Sequence, residues 1–200
     1  MSPRAVAAMA ASLLLRYPDG PALAALPAIR AALGELPSDL AEPLGRVADH
    51  RAGTDATALA AEYVELFDLR RRTCLYLTYY TAGDTRARGQ ALVAFAAVHR
   101  ATGFIVDGGE LPDHLPTVLE LAARADEAGW ALLREHRVGL DLLAAALAAV
   151  GSVYRYAVEA VRSMLPPPGP AQRVAAATLA RSGPPREEVG LQPFTVGGRR

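Results

Sequence analysis

Leu75-Tyr76-Leu77-Thr78-Tyr79-Tyr80-Thr81 is the stretch whose reading decides the fold class. Its aromatic and β-branched residues favour a strand, and taken alone it predicts one. Everything on either side of it repeats at helical spacing, however. A strand here would lack a ladder partner and leave its backbone N–H and C=O groups unpaired. The stretch is therefore read as a buried helix formed against local propensity. The whole chain is then all-α: a single helical-bundle domain of about nine or ten helices over residues 1–181, with a flexible C-terminal tail over 182–200.

Working outward, apolar positions recur at intervals of three and four on both sides. Val6, Met9, Ala10, Leu13, Leu14 and Tyr17 form one stripe after Ser2-Pro3, a capping residue followed by a first-turn proline. Leu23, Leu26, Ile29, Leu33 and Leu36 continue the pattern, with Pro27 predicting a kink or a late start. Ser38 opens a third helix that ends before Gly53, and Leu59, Tyr63, Leu66 and Phe67 mark a fourth. Asp84 is expected to cap a long fifth helix, which Gly103 stops. Further on, helices are expected around Leu115–Ala122, Trp130–His136, a segment set off by Gly139, Tyr154–Leu165 and Ala171–Arg181.

At 200 residues, 52% hydrophobic and 21% charged, the chain has the composition of a folded domain and not of a disordered one. Its 21 basic residues balance its 21 acidic ones, which excludes a global field for nucleic acid or an anionic membrane. Every basic residue is arginine and alanine is abundant, a bias that reads as genome composition. The single cysteine, Cys74, rules out an intramolecular disulfide or a multi-cysteine metal site within this chain and fits a reducing compartment. The apolar run Ala5–Leu15 is not followed by a small-residue cleavage site, and no uncharged run reaches the roughly 20 residues of a membrane span. A cytoplasmic location is expected.

Catalytic signatures are missing: there is no Gly-rich phosphate loop, no G-x-S-x-G elbow and no H-E-x-x-H pair. His50 and His136 read as solvated residues near helix ends, and His99 as a surface or half-buried residue. His114 differs, because Glu110-Leu111-Pro112-Asp113-His114 gathers two carboxylates and an imidazole at the mouth of a helix. That cluster is either a polar binding site or a local device in which Asp113 caps the helix while Glu110 and His114 tie down the loop. The other dense segment, Glu62 to Gly89, mixes tyrosines, acids and Arg70, Arg71, Arg72, Arg86 and Arg88 in a way that a plain core does not require. An alternative class is left open: a regulator or enzyme that binds a nucleotide or metal through Glu110, Asp113, His114 and Arg70–Arg72.

Together these segments resemble the NarJ family of nitrate reductase assembly chaperones, within the wider group of TorD- and DmsD-type helical chaperones. The resemblance is carried by Tyr63-Val64-Glu65, Phe67-Asp68-Leu69-Arg70-Arg71-Arg72, Leu75-Tyr76-Leu77-Thr78-Tyr79-Tyr80, Gly83-Asp84-Thr85-Arg86 and Arg88-Gly89, followed by Glu110-Leu111-Pro112-Asp113-His114-Leu115. It extends to Leu13-Leu14-Leu15-Arg16-Tyr17-Pro18 and to Ala128-Gly129-Trp130 with Leu132-Leu133-Arg134-Glu135-His136-Arg137. It fades after Pro166.

The resemblance implies a cytoplasmic, non-enzymatic helical chaperone. Its partner would be the N-terminal segment of the apo catalytic alpha subunit of membrane-bound nitrate reductase, with no nucleic-acid or direct membrane contact. It would hold no cofactor or metal of its own, the molybdenum cofactor being inserted into the client. The residues expected to meet the partner are Arg70, Arg71, Arg72, Tyr76, Tyr79, Tyr80, Asp84, Arg86, Glu110, Asp113 and His114. A groove lined by apolar side chains would supply most of the affinity, with arginines at its rim and little dependence on salt.

Overall fold

Ser2 and Pro3 start the first helix as their types require: the Ser2 hydroxyl accepts the Ala5 N–H at 3.2 Å, and α1 runs Pro3–Leu14. The computed structural model describes residues 1–106, 109–125 and 127–185. It is all-helical, with no named strand among those residues. After α1 come α2 (Gly20–Ala24), α3 (Leu26–Leu33), α4 (Ser38–Gly53) and α5 (Ala56–Tyr63). The last of these passes into a π-helical turn at Val64–Asp68, and a 3-10 turn follows at Arg71–Thr73. Next are α6 (Leu77–Ala82), α7 (Arg86–Ala101), α8 (Leu115–Arg124) and α9 (Glu127–Glu135), then α10 (Arg137–Ala149), α11 (Arg155–Ser163) and α12 (Pro170–Ser182).

Twelve α-helical segments among the described residues exceed the nine or ten expected, and the surplus lies in short pieces such as the five-residue α2 and the six-residue α6. The stretch from Leu23 to Leu36 divides at Ala25, just ahead of Pro27. Gly139 does not separate two helices: it lies inside α10, and the break falls at His136. Its missing side chain serves packing instead, because a Cβ there would stand 3.1 Å from the Leu77 carbonyl oxygen of α6. The expected tail from residue 182 lies, from residue 186 onward, outside the described residues.

The centre of the bundle is the pairing of α1 with α8. Ala7, Ala8, Ala10 and Ala11 are buried along α1 and let the two backbones approach closely, so the alanines read from the sequence as compositional bias are structural here. The Ser12 hydroxyl donates to the Pro116 carbonyl at 2.7 Å, and one turn further on Arg16 pairs with Glu120. The two helices therefore run in the same direction and bring the C-terminus of α1 beside the first turns of α8. Buried Arg51 from α4 fixes that terminus, its Nη1 donating to the carbonyls of Leu14 at 2.6 Å and Arg16 at 2.9 Å. The Tyr63 hydroxyl donates to Leu15 O at 3.2 Å. Free carbonyls at a helix end are thus satisfied by side chains from two other helices.

Candidate functional site

The stretch that decided the fold is helical only from Leu77. Tyr76 is extended after a bend at Leu75, and the partner of this segment is the turn before α8: Leu115 N–H donates to Leu75 O at 2.8 Å and Leu77 N–H to Asp113 O at 3.1 Å. These two bonds frame an isolated antiparallel pair, Tyr76 opposite His114. Sequence reasoning found no partner for an extended segment because the partner is itself a turn, with no strand signature.

Asp113 does not cap its own helix. His114 occupies the N-cap position of α8 without a side-chain cap bond, while Asp113, fully buried, reaches α6. Its Oδ2 accepts the Thr78 backbone N–H at 3.0 Å and the Thr78 hydroxyl at 2.6 Å. Its Oδ1 is buried without a hydrogen-bond partner. Likewise Asp84 does not cap α7, whose N-cap is Thr85; it pairs with Arg71 at 3.3 Å and Arg88 at 3.4 Å.

Beside the Tyr76–His114 pair opens a cleft of about 790 Å³. One wall comes from the end of α1 and the turn after it, with Leu13, Arg16 and Tyr17; a second comes from Tyr63, Phe67 and Asp68 around the π-helical turn. Phe104, Ile105 and Val106, following α7, form part of the lining, and Thr117 and Glu120 of α8 complete it. Aromatic rings run along the second wall: Tyr17 and Tyr63 meet edge to face at 5.4 Å between centroids, and Tyr63 and Phe67 lie 4.7 Å apart. The charged groups on the lining are Asp19, Asp68, Glu110 and Glu120 against Arg16, so a chain of zero net charge carries a locally acidic cleft.

Burial sets the protonation states here. Desolvation pulls the His114 imidazole down to about 4, partly countered by Asp113, so it is neutral at neutral pH although its Nδ1 lies 3.4 Å from a Glu110 oxygen. The Tyr76 hydroxyl, donating to Glu110 at 3.4 Å, is pushed up to about 12 by burial and by that carboxylate. Asp68, though exposed, is raised by partial desolvation at the cleft wall and by the nearby Glu110 carboxylate. Ring hydroxyls, a neutral imidazole, carboxylates and aromatic faces make a surface suited to binding. Among the described residues no group of three His, Cys, Asp or Glu side chains is placed to hold a metal ion.

Of the residues expected to meet a partner, Tyr76, Glu110 and His114 line this cleft. Asp113 and Tyr80 lie behind it; the Tyr80 hydroxyl bonds to the carbonyls of Arg72 at 3.0 Å and Cys74 at 2.9 Å. Arg70, Arg71, Arg72, Tyr79, Asp84 and Arg86 are not part of its lining. Arg70 pairs with Glu65 and borders a smaller cleft of about 370 Å³ beside His50. Among the described residues the arginine on this lining is Arg16, which is tied to Glu120.

The remaining histidines are also more engaged than expected. His99 is buried, with Nε2 3.1 Å from Pro112 O, and burial holds its pKa below the ordinary value. His136 packs at 4.7 Å on the Phe95 ring and is lowered for the same reason. His50 forms a 2.7 Å contact with Glu62. Sequence reasoning missed Arg16, Tyr17, Asp68 and Glu120 as site residues, although the first three lie within the motifs quoted above. It also missed Arg88, whose guanidinium stands 5.6 Å from the Tyr76 ring centre.

A family model described as nitrate reductase delta subunit matches residues 27–159. The chain is 33% identical over 153 residues to the probable nitrate reductase molybdenum cofactor assembly chaperone NarJ of Bacillus subtilis, a match covering 76% of this chain and 83% of that one. It is 43% identical over 152 residues to the nitrate reductase-like protein NarX of Mycobacterium tuberculosis, where it spans 76% of this chain but only 23% of the relative's length. A solved structure from Archaeoglobus fulgidus, assigned to redox enzyme maturation, superposes with a TM-score of 0.58 at 24% identity, covering 82% of this chain and 93% of that one; it shares the fold. With its family match across two thirds of the sequence and its NarJ relative matched along most of both chains, this chain belongs to the nitrate reductase delta subunit family.

Proposed function

We propose that this protein is a system-specific assembly chaperone: it binds the N-terminal segment of the apo catalytic alpha subunit of a membrane-bound nitrate reductase, keeps it competent for molybdenum cofactor insertion, and leaves the finished enzyme. The observation that carries the reading is the acidic, aromatic cleft at the point where the two motif segments meet through Tyr76 and His114. A cleft of this size accepts the apolar face of an amphipathic helix, and burying that face supplies affinity at about 25 cal/mol per Å² before ordering costs. The NarJ relatives from Bacillus subtilis and Escherichia coli, named as nitrate reductase molybdenum cofactor assembly chaperones, support the same reading.

In this proposal Tyr76, Glu110 and His114 touch the client directly. Asp113 and Tyr80 hold the surrounding backbone. Arg70, Arg71, Arg72, Tyr79, Asp84 and Arg86, outside the cleft lining, act on a neighbouring face, where charge alters encounter rate and specificity more than final affinity. The protein performs no turnover, keeps no cofactor or metal of its own and works in the cytoplasm, handing the molybdenum cofactor step to the client. Among the described residues no helix is long and apolar enough to cross a membrane.

Calorimetry with a peptide copying the first residues of the catalytic subunit tests this directly. Stoichiometric binding with a negative heat-capacity change, lost in Tyr76→Ala, is the expected result. Binding of equal strength when the cleft is altered would place the client elsewhere.

A further inference from the structure

Four hydrogen bonds tie residues 75–78 to residues 113–115, and only two of them are the backbone bonds that frame the Tyr76–His114 pair. The other two come from one carboxylate, that of Asp113, gripping both the backbone N–H and the hydroxyl of Thr78. Thr78 and Asp113 are both fully buried, and neither lines the cleft. The rings one residue away, Tyr76 and His114, do line it and lie 5.4 Å apart.

We propose that Asp113 and Thr78 are positioning residues: their bond sets the spacing of the Tyr76 and His114 rings, and so the shape of the client surface, without either residue touching the client. This deepens the chaperone reading and rests on it. The physical basis is the geometry of the bridge. Tyr76 and His114 oppose each other without exchanging hydrogen bonds, so the pairing depends on what flanks it. On one side the chain continues into α6, whose N-terminal N–H at Thr78 is satisfied from across the gap by Asp113. Releasing the Asp113 carboxylate removes two of the four bonds across the junction, leaving only the backbone pair, and loosens the spacing of the two rings. Arg88 reinforces the arrangement, its Nε donating to the Thr78 hydroxyl at 3.4 Å while its guanidinium faces the Tyr76 ring.

The test pairs a readout of ring spacing with a readout of binding. NMR of the His114 imidazole in the full chain reports its stacking on Tyr76 and its titration in the field of Glu110, Asp113 and Arg16; calorimetry with the client peptide reports affinity. In Thr78→Val, His114 resonances are expected to shift and its titration to move up toward 6.5, its ordinary value. Affinity should fall about tenfold, as expected for one buried hydrogen bond. Thr78→Ser should restore both. Asp113→Asn, which removes charge and nearly preserves shape, should change affinity only in step with the Tyr76–His114 ring contacts, read as nuclear Overhauser effects, because loss of the Asp113 charge alone moves the His114 titration. If Asp113→Asn weakens binding while those ring contacts stay in place, Asp113 touches the client and the proposal is overturned. Should Thr78→Val fail to fold, Asp113→Asn and Thr78→Ser decide the matter by the same two readouts. Failure of the wild-type protein to bind the peptide would overturn the chaperone reading instead, and the NMR signals would still decide the positioning role.

Discussion

Tyr76 and His114 face each other across a single antiparallel pairing that joins the two sequence motifs of this chain. One motif ends the aromatic segment after the π-helical turn, and the other opens α8. Their junction is the floor on which the acidic cleft is built, so the chemistry of the cleft and the stability of the junction are coupled.

That coupling makes acid the first stress to act on the site. His114 is neutral and buried, with its pKa lowered from 6.5 to about 4, whereas in the unfolded chain it takes up a proton near its ordinary value. Its contribution to stability is therefore complete above pH 6.5, falls as pH drops from there to about 4, and levels off below, a loss on the order of 3 kcal/mol. His99 and His136, also lowered by burial, act in the same direction. Urea titrations between pH 7.5 and 4.5 should show this slope, and His114→Gln should flatten it. An unchanged slope in the variant would assign the acid sensitivity to other groups.

Gly129 is a packing glycine. A Cβ at this position in α9 would stand 2.2 Å from the Ala122 backbone nitrogen of α8. Alanine gains about 1 kcal/mol of helix propensity, but a contact with backbone cannot be relieved by a rotamer change. Gly129→Ala should therefore lose about 2–3 kcal/mol in denaturant titration. A stabilised variant would mean that α8 and α9 separate easily.

Much of this architecture was legible in the sequence. α1 runs as expected because Ser2-Pro3 marks a start that tertiary packing does not override, and α4 begins at Ser38 as expected but carries on through Gly53. The aromatic stretch was legible only in part. Leu77–Ala82 is helical against propensity, while Tyr76 remains extended because a turn distant in sequence supplies the flanking hydrogen bonds. Asp113 illustrates the same limit. Its local pattern reads as an N-cap for α8, but its carboxylate instead accepts a first-turn N–H of α6 from across the junction. The acidic character of the cleft was hidden by the zero net charge, since the balancing arginines sit on other faces.

Arg51 is the second buried group on which the cleft depends. Arg51→Met keeps most of the side-chain volume but leaves the Leu14 and Arg16 carbonyls without their donor. The expected loss is about 2–4 kcal/mol by urea unfolding. The wild-type guanidinium also has two buried nitrogens, Nε and Nη2, without partners, and this burial lowers its pKa. A variant as stable as wild type would mean that the burial penalty cancels the carbonyl bonds.

The cleft carries four carboxylates and one arginine, which revises the expectation that salt matters little. If the client segment carries basic residues that face these carboxylates, its affinity should weaken as ionic strength rises through 0.1 M, where the screening length is about 10 Å. Asp68→Asn, at an exposed position, should lower affinity by up to about fivefold. Arg71→Gln, outside the cleft lining, should change the association rate and leave affinity nearly unchanged. Stopped-flow kinetics at two salt concentrations separates these effects. An affinity indifferent to salt would mean that the carboxylates do not face the client.

The chaperone role itself is tested most directly by the molybdenum content of nitrate reductase purified from cells with and without this protein. The expected result is that the deletion strain makes the enzyme polypeptides at normal levels but yields enzyme poor in molybdenum and inactive, restored by the wild-type chain. Enzyme with a full molybdenum complement in the deletion strain would contradict the account.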